Sequence, residues 1–304
     1  MKVNQYAREE LTSFLDVVNA ETRGWRHLRK IQSMQRDEVS NVQAISDKDS
    51  FGQDAKSVAI GLCGLLSCRL KLARTEVHLW QAALDDRLAD GLKRLLSADE
   101  VSRADRFHFA RDRNHFIAAR GLLRILLSAY LGINSDELRF SYAEKGKPSL
   151  EETQQSAINF NLAHSHGMAI YAFAHGREVG VDLEYIREDL AGEKIAERFF
   201  SPREIAMLKS VPAELRKEAF FNCWTRKEAY IKARGEGLSM PLDEFDVSLA
   251  PGEAVALLLN HTEPAEVTRW TMRSIPVPSG YVAALVVEGH DWRLKTFRLE
   301  ESAV

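Results

Sequence analysis

The chain has 304 residues, of which 45% are hydrophobic and 28% are charged, a composition typical of a globular protein with one large or two modest domains. Its formal net charge of −3 argues against the strongly basic surface of a nucleic-acid binder or an anionic-membrane binder. The three cysteines form no CxxC pair, which argues against a zinc site or a disulfide framework and fits a reducing cytoplasm.

The first quarter of the sequence differs from the rest. Its apolar run VAIGLCGLLSC (58–68) is about half as long as a membrane-spanning helix and lies far from the position of a secretory signal. Much of residues 1–75 is polar and weakly periodic, which predicts an N-terminal extension that is partly disordered or helical. We therefore expect a cytoplasmic protein without a membrane partner.

The next segment, 76–165, reads as a first structural half. An alternating strand is predicted at 75–84, helices at 87–98 and 112–131, and a strand at 138–143, before the turn EKGKPSL.

Residues 166–304 read as a second half of similar make-up. Strands at 168–174 and 178–186 flank a short HGR link, which predicts a hairpin. Helices near 191–199, 202–209 and 213–234 follow, and then a strand-rich end. The order of elements predicts an α+β fold of two similar α/β halves related by a pseudo-twofold axis, rather than alternating βαβ units.

The helix FNCWTRKEAYIKARGEG (221–237) carries a carboxylate in its apolar stripe. At about 100° per residue, Glu228 falls between Trp224 and Phe221, and Lys232 lies at the edge of the stripe one turn later. A solvated Glu228–Lys232 pair at i,i+4 is one interpretation. The other is a functional site, because an ionised carboxylate on a burying face needs a compensating charge.

The strand GVDLE (180–184) carries two further carboxylates. Side chains alternate along a strand, so Asp182 and Glu184 share a face and lie roughly 7 Å apart. They form either a solvated strand face or, with Glu228 as a third acid, oxygen ligands of the kind that Mg²⁺ prefers.

Basic residues form a third group. The segment 102–124 holds six arginines against two aspartates, Lys145 and Lys147 lie on the EKGKPSL turn, and His164 precedes a strand. Several of the arginines can serve surface or structural pairs, and a lone histidine is more often structural. Together, these side chains suit a ligand with several phosphates, although no GxxxxGK[ST] phosphate loop is present.

The stations RADRFHFARDR…AARGLLR, GKP, FNLAHS, GVDLE, RFFSPRE and FFNCWTRKEAYIKARGEGLSMPL occur in this order across about 76–290. Taken together, they resemble the 4′-phosphopantetheinyl transferase superfamily in its larger, Sfp-type branch. The resemblance implies a fold of two related halves with the active site in the cleft between them. It also implies Mg²⁺-dependent transfer of the phosphopantetheine arm of coenzyme A to a carrier-protein serine, releasing adenosine 3′,5′-bisphosphate.

The resemblance also implies residue roles. Asp182, Glu184 and Glu228 look like the family's metal-binding acids, and Glu228 also like the base for the carrier serine. Lys232 looks like the lysine that contacts the transferred phosphate and assists the leaving group. The remaining matches are to coenzyme A-contacting positions, at Arg103, Lys145, Lys147 and His164. At Ala163 the chain departs from relatives that have a serine before the histidine, which puts one phosphate hydrogen bond in doubt.

The implied partner is an apo acyl carrier or peptidyl carrier protein of fatty acid, polyketide or nonribosomal peptide biosynthesis, with no nucleic acid involved. A monomer is expected, because both halves of the site lie in one chain. One rival hypothesis is a Mg²⁺-dependent phosphohydrolase acting on coenzyme A or another nucleotide. Another is a carrier-protein binder without activity, which has no need of the set Asp182, Glu184, Glu228 and Lys232.

Overall fold

Two β-sheets face each other in the structure, a computed structural model that describes residues 58–61, 65, 69–142, 146–154, 156–187, 192–237 and 240–300. With strands numbered in chain order, the first sheet is ordered β1 (Val58–Gly61), β12 (Arg293–Glu300), β2 (Glu76–Ala83), β6 (Met168–His175) and β5 (Ile158–Ser165). The second is ordered β10 (Trp270–Ser274), β11 (Tyr281–Glu288) and β7 (Val179–Tyr185). Two short pairs accompany them, β3 (Phe140–Tyr142) with β4 (Pro148–Leu150) and β8 (Phe245–Val247) with β9 (Leu257–Asn260).

Each sheet carries one long helix on its outer face. The helix α3 (Ala110–Leu131) packs on the first sheet and α6 (Arg216–Arg234) on the second, so the order of layers is helix, sheet, sheet, helix. Both helices stop at a glycine in the left-handed region, Gly132 with φ of 66° and Gly235 with φ of 76°, where a side chain is disfavoured. The shorter helices are α1 (Asp86–Leu92), α2 (Ala98–Ala104), α4 (Gly192–Phe199), α5 (Pro202–Ser210) and α7 (Glu266–Arg269).

The alternation of apolar residues on β2 explains why its sheet is covered on both faces. Trp80 and Ala82 point toward α3, whereas Val77 and Leu79 point toward the second sheet. Residues of β6, β7 and β11 complete the core between the sheets, including Ile170, Val181 and Leu285.

A buried ion pair fixes the position of α6. The Lys227 ammonium lies 2.8 Å from the Glu204 carboxylate, and neither side chain is exposed. Lys227 also donates to the carbonyls of Leu242 and Phe245, and Glu204 accepts from the backbone N–H of Val247. These bonds connect α6 to α5 and to β8.

A second buried cluster holds α2 against α3. Glu100 on α2 pairs with Arg120 and Arg124 on α3, the latter at 2.7 Å, and all three side chains are buried. Burial alone raises the pKa of the Glu100 carboxyl, but the two guanidinium groups outweigh it and lower the pKa to about 2. Half of the six arginines of 102–124 are thus buried, because Arg103 is buried as well.

The predicted α+β class is confirmed, but the predicted hairpin between 168–174 and 178–186 is wrong. Both edges of β6 are occupied, by β2 and by β5, so β7 pairs with β11 in the other sheet. The hairpin at this point joins β5 to β6 through His166 and Gly167, whose φ angles of 46° and 84° suit a tight two-residue turn. The helix predicted at 87–98 also divides, because Ser97 caps the separate helix α2.

The C-terminal part of the segment 1–75 belongs to the fold rather than to the predicted extension. Residues 58–61 form β1, parallel to β12, and the Leu65 side chain is buried with the α3 residues in the core of the first sheet. Residues 1–57 lie outside the described residues. β12 likewise joins the first sheet, although it follows the strands of the second sheet in sequence. The boundary predicted between residues 165 and 166 falls in the β5–β6 turn. In the part of the chain that the structure describes, no helix is long and apolar enough to cross a membrane.

Candidate active site

The site is built where α6 lies directly against β7. A Cβ on Gly180 would stand 2.1 Å from the carbonyl oxygen of Ala229 and 2.3 Å from the backbone nitrogen of Ala233. Only a glycine lets helix and strand backbones approach this closely. The glycine of GVDLE therefore sets how near the next residues of β7 come to α6.

Asp182 lies two residues further along β7, on the same face as Gly180. Its Oδ1 accepts a hydrogen bond from the Lys232 Nζ of α6 at 2.7 Å, and the two side chains are only 6% and 17% exposed. Glu228 precedes Lys232 by one turn, so the two share a face of α6. It is 5% exposed, which confirms that this carboxylate lies on a burying face. The solvated-pair interpretation of Glu228 and Lys232 is wrong.

Glu184 lies at the seam between the two sheets, where the edge strands β5 and β7 run side by side. Its Oε2 accepts a hydrogen bond from the Ser165 hydroxyl at 3.3 Å, and the same hydroxyl oxygen accepts from the backbone N–H of Tyr185 at 3.2 Å. Further along the seam, the Asn161 side chain accepts from the Val181 N–H at 2.9 Å. Side chains of β5 thus take the place of a backbone ladder and fix the position of β7.

Lys147 reaches the end of α6 that carries Lys232. Its ammonium donates to the Glu178 carboxylate at 2.8 Å and to the Ala233 carbonyl at 3.1 Å. A cation at the C-terminus of a helix is favoured by the helix dipole. Lys145, its partner in the sequence prediction, lies outside the described residues.

The other two predicted ligand residues lie in the first half of the fold. His164 on β5 is half-buried and, by strand alternation, shares the face of Phe160, which α3 covers. Arg103 on α2 is buried, with its guanidinium 5.2 Å from the centre of the Phe116 ring on α3. The structure therefore gathers Asp182, Glu184, Glu228, Lys232 and Lys147 along α6 and β7, and places His164 and Arg103 on the α3 side.

The buried carboxylates meet the usual requirements of one kind of divalent metal ion. Within the described ranges, no three or more His, Cys, Asp or Glu side chains converge as a ready-made metal site. Mg²⁺, however, is commonly held by one or two carboxylates together with water and substrate phosphates. Asp182 and Glu228 are both buried, Asp182 pairs with Lys232, and Glu228 precedes that lysine by one turn, so this set of oxygen donors fits such an ion.

Sequence reasoning missed the strand β5 and its two seam residues. The signal was present in INFNLAHS (158–165), where Phe160 and Leu162 alternate with polar residues in the period of a strand. Asn161 and Ser165 fall on the polar face of that pattern, which is the face that meets β7.

Comparison with known proteins gives two adjacent family matches. Residues 178–286 match the 4′-phosphopantetheinyl transferase superfamily, and residues 78–175 match the 4′-phosphopantetheinyl transferase N-terminal family. Among solved structures, the Chronobacterium ammoniagenes ACPS-CoA complex is similar over 38% of this chain and 98% of that one, with 23% identity and a TM-score of 0.28.

Several curated relatives are similar over most of their length. The 4′-phosphopantetheinyl transferase HetI of Nostoc sp. is 41% identical over 74% of this chain and 93% of its own. The transferase ffp of Bacillus subtilis is 32% identical over 69% of this chain and 89% of its own, and Sfp of Bacillus subtilis strain 168 is 28% identical over 65% and 84%. These relatives are all transferases, so the phosphohydrolase hypothesis is not supported. The chain belongs to the 4′-phosphopantetheinyl transferase superfamily, in its Sfp-type branch, and is an enzyme of the holo-acyl-carrier-protein synthase type that transfers phosphopantetheine to carrier proteins.

Proposed function

We propose that the phosphopantetheine donor is coenzyme A, that the reaction depends on Mg²⁺, and that it releases adenosine 3′,5′-bisphosphate. The acceptor is a serine hydroxyl of an apo acyl carrier or peptidyl carrier protein. The observation that carries the proposal is the buried contact of 2.7 Å between Lys232 and Asp182, on the helix face that also holds Glu228. A cation and two acids on a burying face suit a substrate with charged phosphates.

Asp182, Glu184 and Glu228 are the residues that would hold the metal ion. When bound, Mg²⁺ neutralises charge on the phosphate oxygens of the substrate. Lys232 carries its ammonium on a flexible four-carbon stem, so it can pair with Asp182 before binding and with a phosphate afterwards. Lys147, Lys145, His164 and Arg103 are the side chains proposed to bind the phosphates and nucleotide of coenzyme A.

Glu228 is proposed as the general base. In the transfer, the serine oxygen forms a bond to the phosphorus that carries the pantetheine arm, and the bond from that phosphorus to the oxygen of adenosine 3′,5′-bisphosphate breaks. Glu228 takes the serine proton, and Lys232 stabilises the negative charge that develops on the leaving phosphate.

Three further proposals concern the protein as a whole. The chain acts as a monomer, because α6, β7 and the α3 side of the site all belong to one chain. It acts in the cytoplasm, where its cysteines stay reduced. The transferase halves are 76–165 and 166–304. Sedimentation of an obligate trimer would contradict the first of these.

The test is incubation of the chain with coenzyme A, Mg²⁺ and a panel of apo carrier proteins, read by intact mass. We expect at least one carrier to gain phosphopantetheine, with release of adenosine 3′,5′-bisphosphate in equal amount and loss of transfer in EDTA. Cleavage of coenzyme A without a carrier protein would contradict the proposal.

Variants assign the roles. Asp182→Ala, Glu228→Gln and Lys232→Ala should each lower turnover by roughly 10²–10⁴-fold. Glu228→Gln keeps the shape of the side chain, so coenzyme A binding should weaken far less than turnover falls. The matched control is Glu236→Gln. The Glu236 carboxylate lies just past α6 and accepts a hydrogen bond from Arg234 at 2.6 Å, so this substitution should lower turnover only slightly. Near-normal transfer by Asp182→Ala and Glu228→Gln together would refute the assignment, and equal damage from Glu236→Gln would place the site elsewhere.

A further inference from the structure

Glu184 is the least buried of the three proposed metal-binding acids. Asp182 and Glu228 are buried, and Asp182 is also held by the Lys232 ammonium at 2.7 Å. Glu184 is half-buried and lies at the penultimate position of β7, next to the exposed Tyr185. A glutamate side chain is long and loses much rotamer freedom when it is fixed. The orientation of the Glu184 carboxylate therefore depends strongly on the groups that hydrogen-bond to it.

Two polar side chains of β5 hold β7 in register with it. Asn161 accepts from the Val181 N–H at 2.9 Å, and the Ser165 hydroxyl oxygen accepts from the Tyr185 N–H at 3.2 Å. The partners are 20 residues apart in both bonds, so the two strands run in the same direction and cannot slide without breaking both bonds. Because Glu184 directly precedes Tyr185, this register brings the Ser165 hydroxyl to the Glu184 carboxylate.

The Ser165 hydroxyl has one proton to donate, and the charges around it decide where that proton goes. Glu184 Oε2 lies 3.3 Å from the hydroxyl oxygen, and His166 Nδ1 lies 3.5 Å from it. A carboxylate is the stronger acceptor because it is charged. The His166 nitrogen can carry a proton of its own and donate to the hydroxyl oxygen instead. The proton of Ser165 is therefore directed to Glu184.

The contact between Ser165 and Glu184 joins the two sheets at the proposed metal site. Ser165 is the last residue of β5 in the first sheet, whereas Glu184 belongs to β7 in the second. Its length of 3.3 Å exceeds the separation of about 2.7–2.8 Å that is usual for a hydroxyl donor. The bond therefore orients Glu184 less tightly than the Lys232 ammonium holds Asp182.

We propose that Ser165 is a positioning residue of the metal site, which holds Glu184 in the orientation that binds Mg²⁺. It acts through Glu184 and is not itself a ligand of the ion. Loss of a group that orients a metal-binding side chain typically lowers metal affinity by about 10–100-fold. Because the bond from Ser165 is long, we expect the lower end of that range. This inference rests on the proposed function, in which Glu184 is a metal ligand.

The first experiment measures metal binding and does not depend on turnover. Mn²⁺, which shares the oxygen ligands of Mg²⁺, is titrated by electron paramagnetic resonance in the presence of coenzyme A and without carrier protein. The Kd for Mn²⁺ should rise about tenfold in Ser165→Ala. It should recover in Ser165→Thr, which keeps the hydroxyl and suits a strand.

Ser97→Ala is the matched control for the loss of a hydroxyl that donates to a carboxylate. The Ser97 hydroxyl donates at 3.0 Å to Glu100, which pairs with arginines of α3 and is not one of the proposed metal ligands. This substitution should lower stability and leave the Kd for Mn²⁺ unchanged. An unchanged Kd in Ser165→Ala as well would overturn the proposal.

A double-mutant cycle shows whether Ser165 acts through Glu184. In the background of Glu184→Gln, Ser165→Ala should have little further effect on the Kd for Mn²⁺, because the charged acceptor of its proton is already gone. If Ser165→Ala weakened Mn²⁺ binding equally in both backgrounds, Ser165 would act as a ligand itself or through the position of β7. Either result would overturn the proposal.

Transfer kinetics give a second readout and separate this inference from the proposed function. In Ser165→Ala, the Mg²⁺ concentration for half-maximal transfer should rise, and saturating Mg²⁺ should restore most of kcat without a change in the KM for carrier protein. A kcat that stayed low at saturating Mg²⁺ would assign Ser165 to the chemistry and contradict a positioning role. Absence of Mg²⁺-dependent transfer by the unsubstituted chain would instead refute the proposed function.

Discussion

Gly180 is the residue at which fold and catalysis depend most directly on each other. In Gly180→Ala, the new methyl group would lie 2.1 Å from the Ala229 oxygen, 2.3 Å from the Ala233 nitrogen and 2.8 Å from the Ala233 Cα. Non-bonded contacts of carbon need about 3.5 Å. All three neighbours are backbone atoms that cannot rotate away, so α6 must retreat from β7 by about 1 Å or more.

The retreat should affect stability and turnover by different amounts. Overpacking of this kind costs about 1–3 kcal/mol, and we expect the upper end because a whole helix must move. The Lys232–Asp182 contact of 2.7 Å joins the two elements, so Lys232 would have to extend to keep it, while Glu228 would move away from β7 with the helix. A displacement of about 1 Å at a catalytic group can cost about 10²-fold in rate.

The measurements are urea unfolding followed by circular dichroism and kcat/KM for transfer to a carrier protein. Gly91→Ala is the matched control, because Gly91 lies exposed in α1 and an added methyl group would have no atom within 4 Å apart from its chain neighbours and the backbone of its own helix. It should leave transfer unchanged and stabilise the protein by up to about 1 kcal/mol. If Gly180→Ala were as stable and as active as the unsubstituted protein, α6 would not lie against β7 as described.

Three further predictions concern stability. Lowering the pH from about 4.5 to about 2 should reduce the free energy of unfolding by about 3 kcal/mol, because the pKa of Glu100 is lower in the folded protein than in the unfolded chain. This stabilisation is present above the unfolded pKa and is lost as pH falls. In Glu100→Gln, acid titrations of unfolding should lack this decrease. Lys227→Ala should lower the free energy of unfolding in urea by about 3–5 kcal/mol, because it leaves the buried Glu204 without its cation. An unfolding midpoint equal to that of the unsubstituted protein would contradict the role given to this pair. Deleting 1–57 should leave transfer intact, whereas deleting 1–74 removes β1 and Leu65 and should lower the unfolding midpoint; equal midpoints for the two truncations would show that β1 adds nothing.

Local patterns were enough to predict much of the candidate site. The place of Glu228 on a burying face follows from the helical period, and the shared face of Asp182 and Glu184 follows from the alternation of a strand. The contact between Asp182 and Lys232 joins residues 50 positions apart, and local period contains no information about it. That contact depends on Gly180, whose role as a close-packing residue is visible only once α6 is placed on β7.

Pairing of strands was the main feature that the sequence could not reveal. The HGR link between β6 and β7 has the length of a hairpin loop, but β2 and β5 compete for both edges of β6 and occupy them. The pairing of β12 with β1 and β2 is equally non-local. Composition also misjudged part of 1–75, since a four-residue strand and one buried leucine leave little periodic signal.

The place of β12 has a consequence for synthesis on the ribosome. Ladder partners such as Glu76 and Arg293 leave the exit tunnel at very different times, because translation proceeds at about 5–20 residues per second. Until Arg293–Glu300 emerges, the β2 edge that β12 will cover stays open to pairing with other chains. Nascent chains should therefore be most prone to aggregation until β12 has left the tunnel, and released chains that end before residue 293 should recruit chaperones that released chains containing β12 do not.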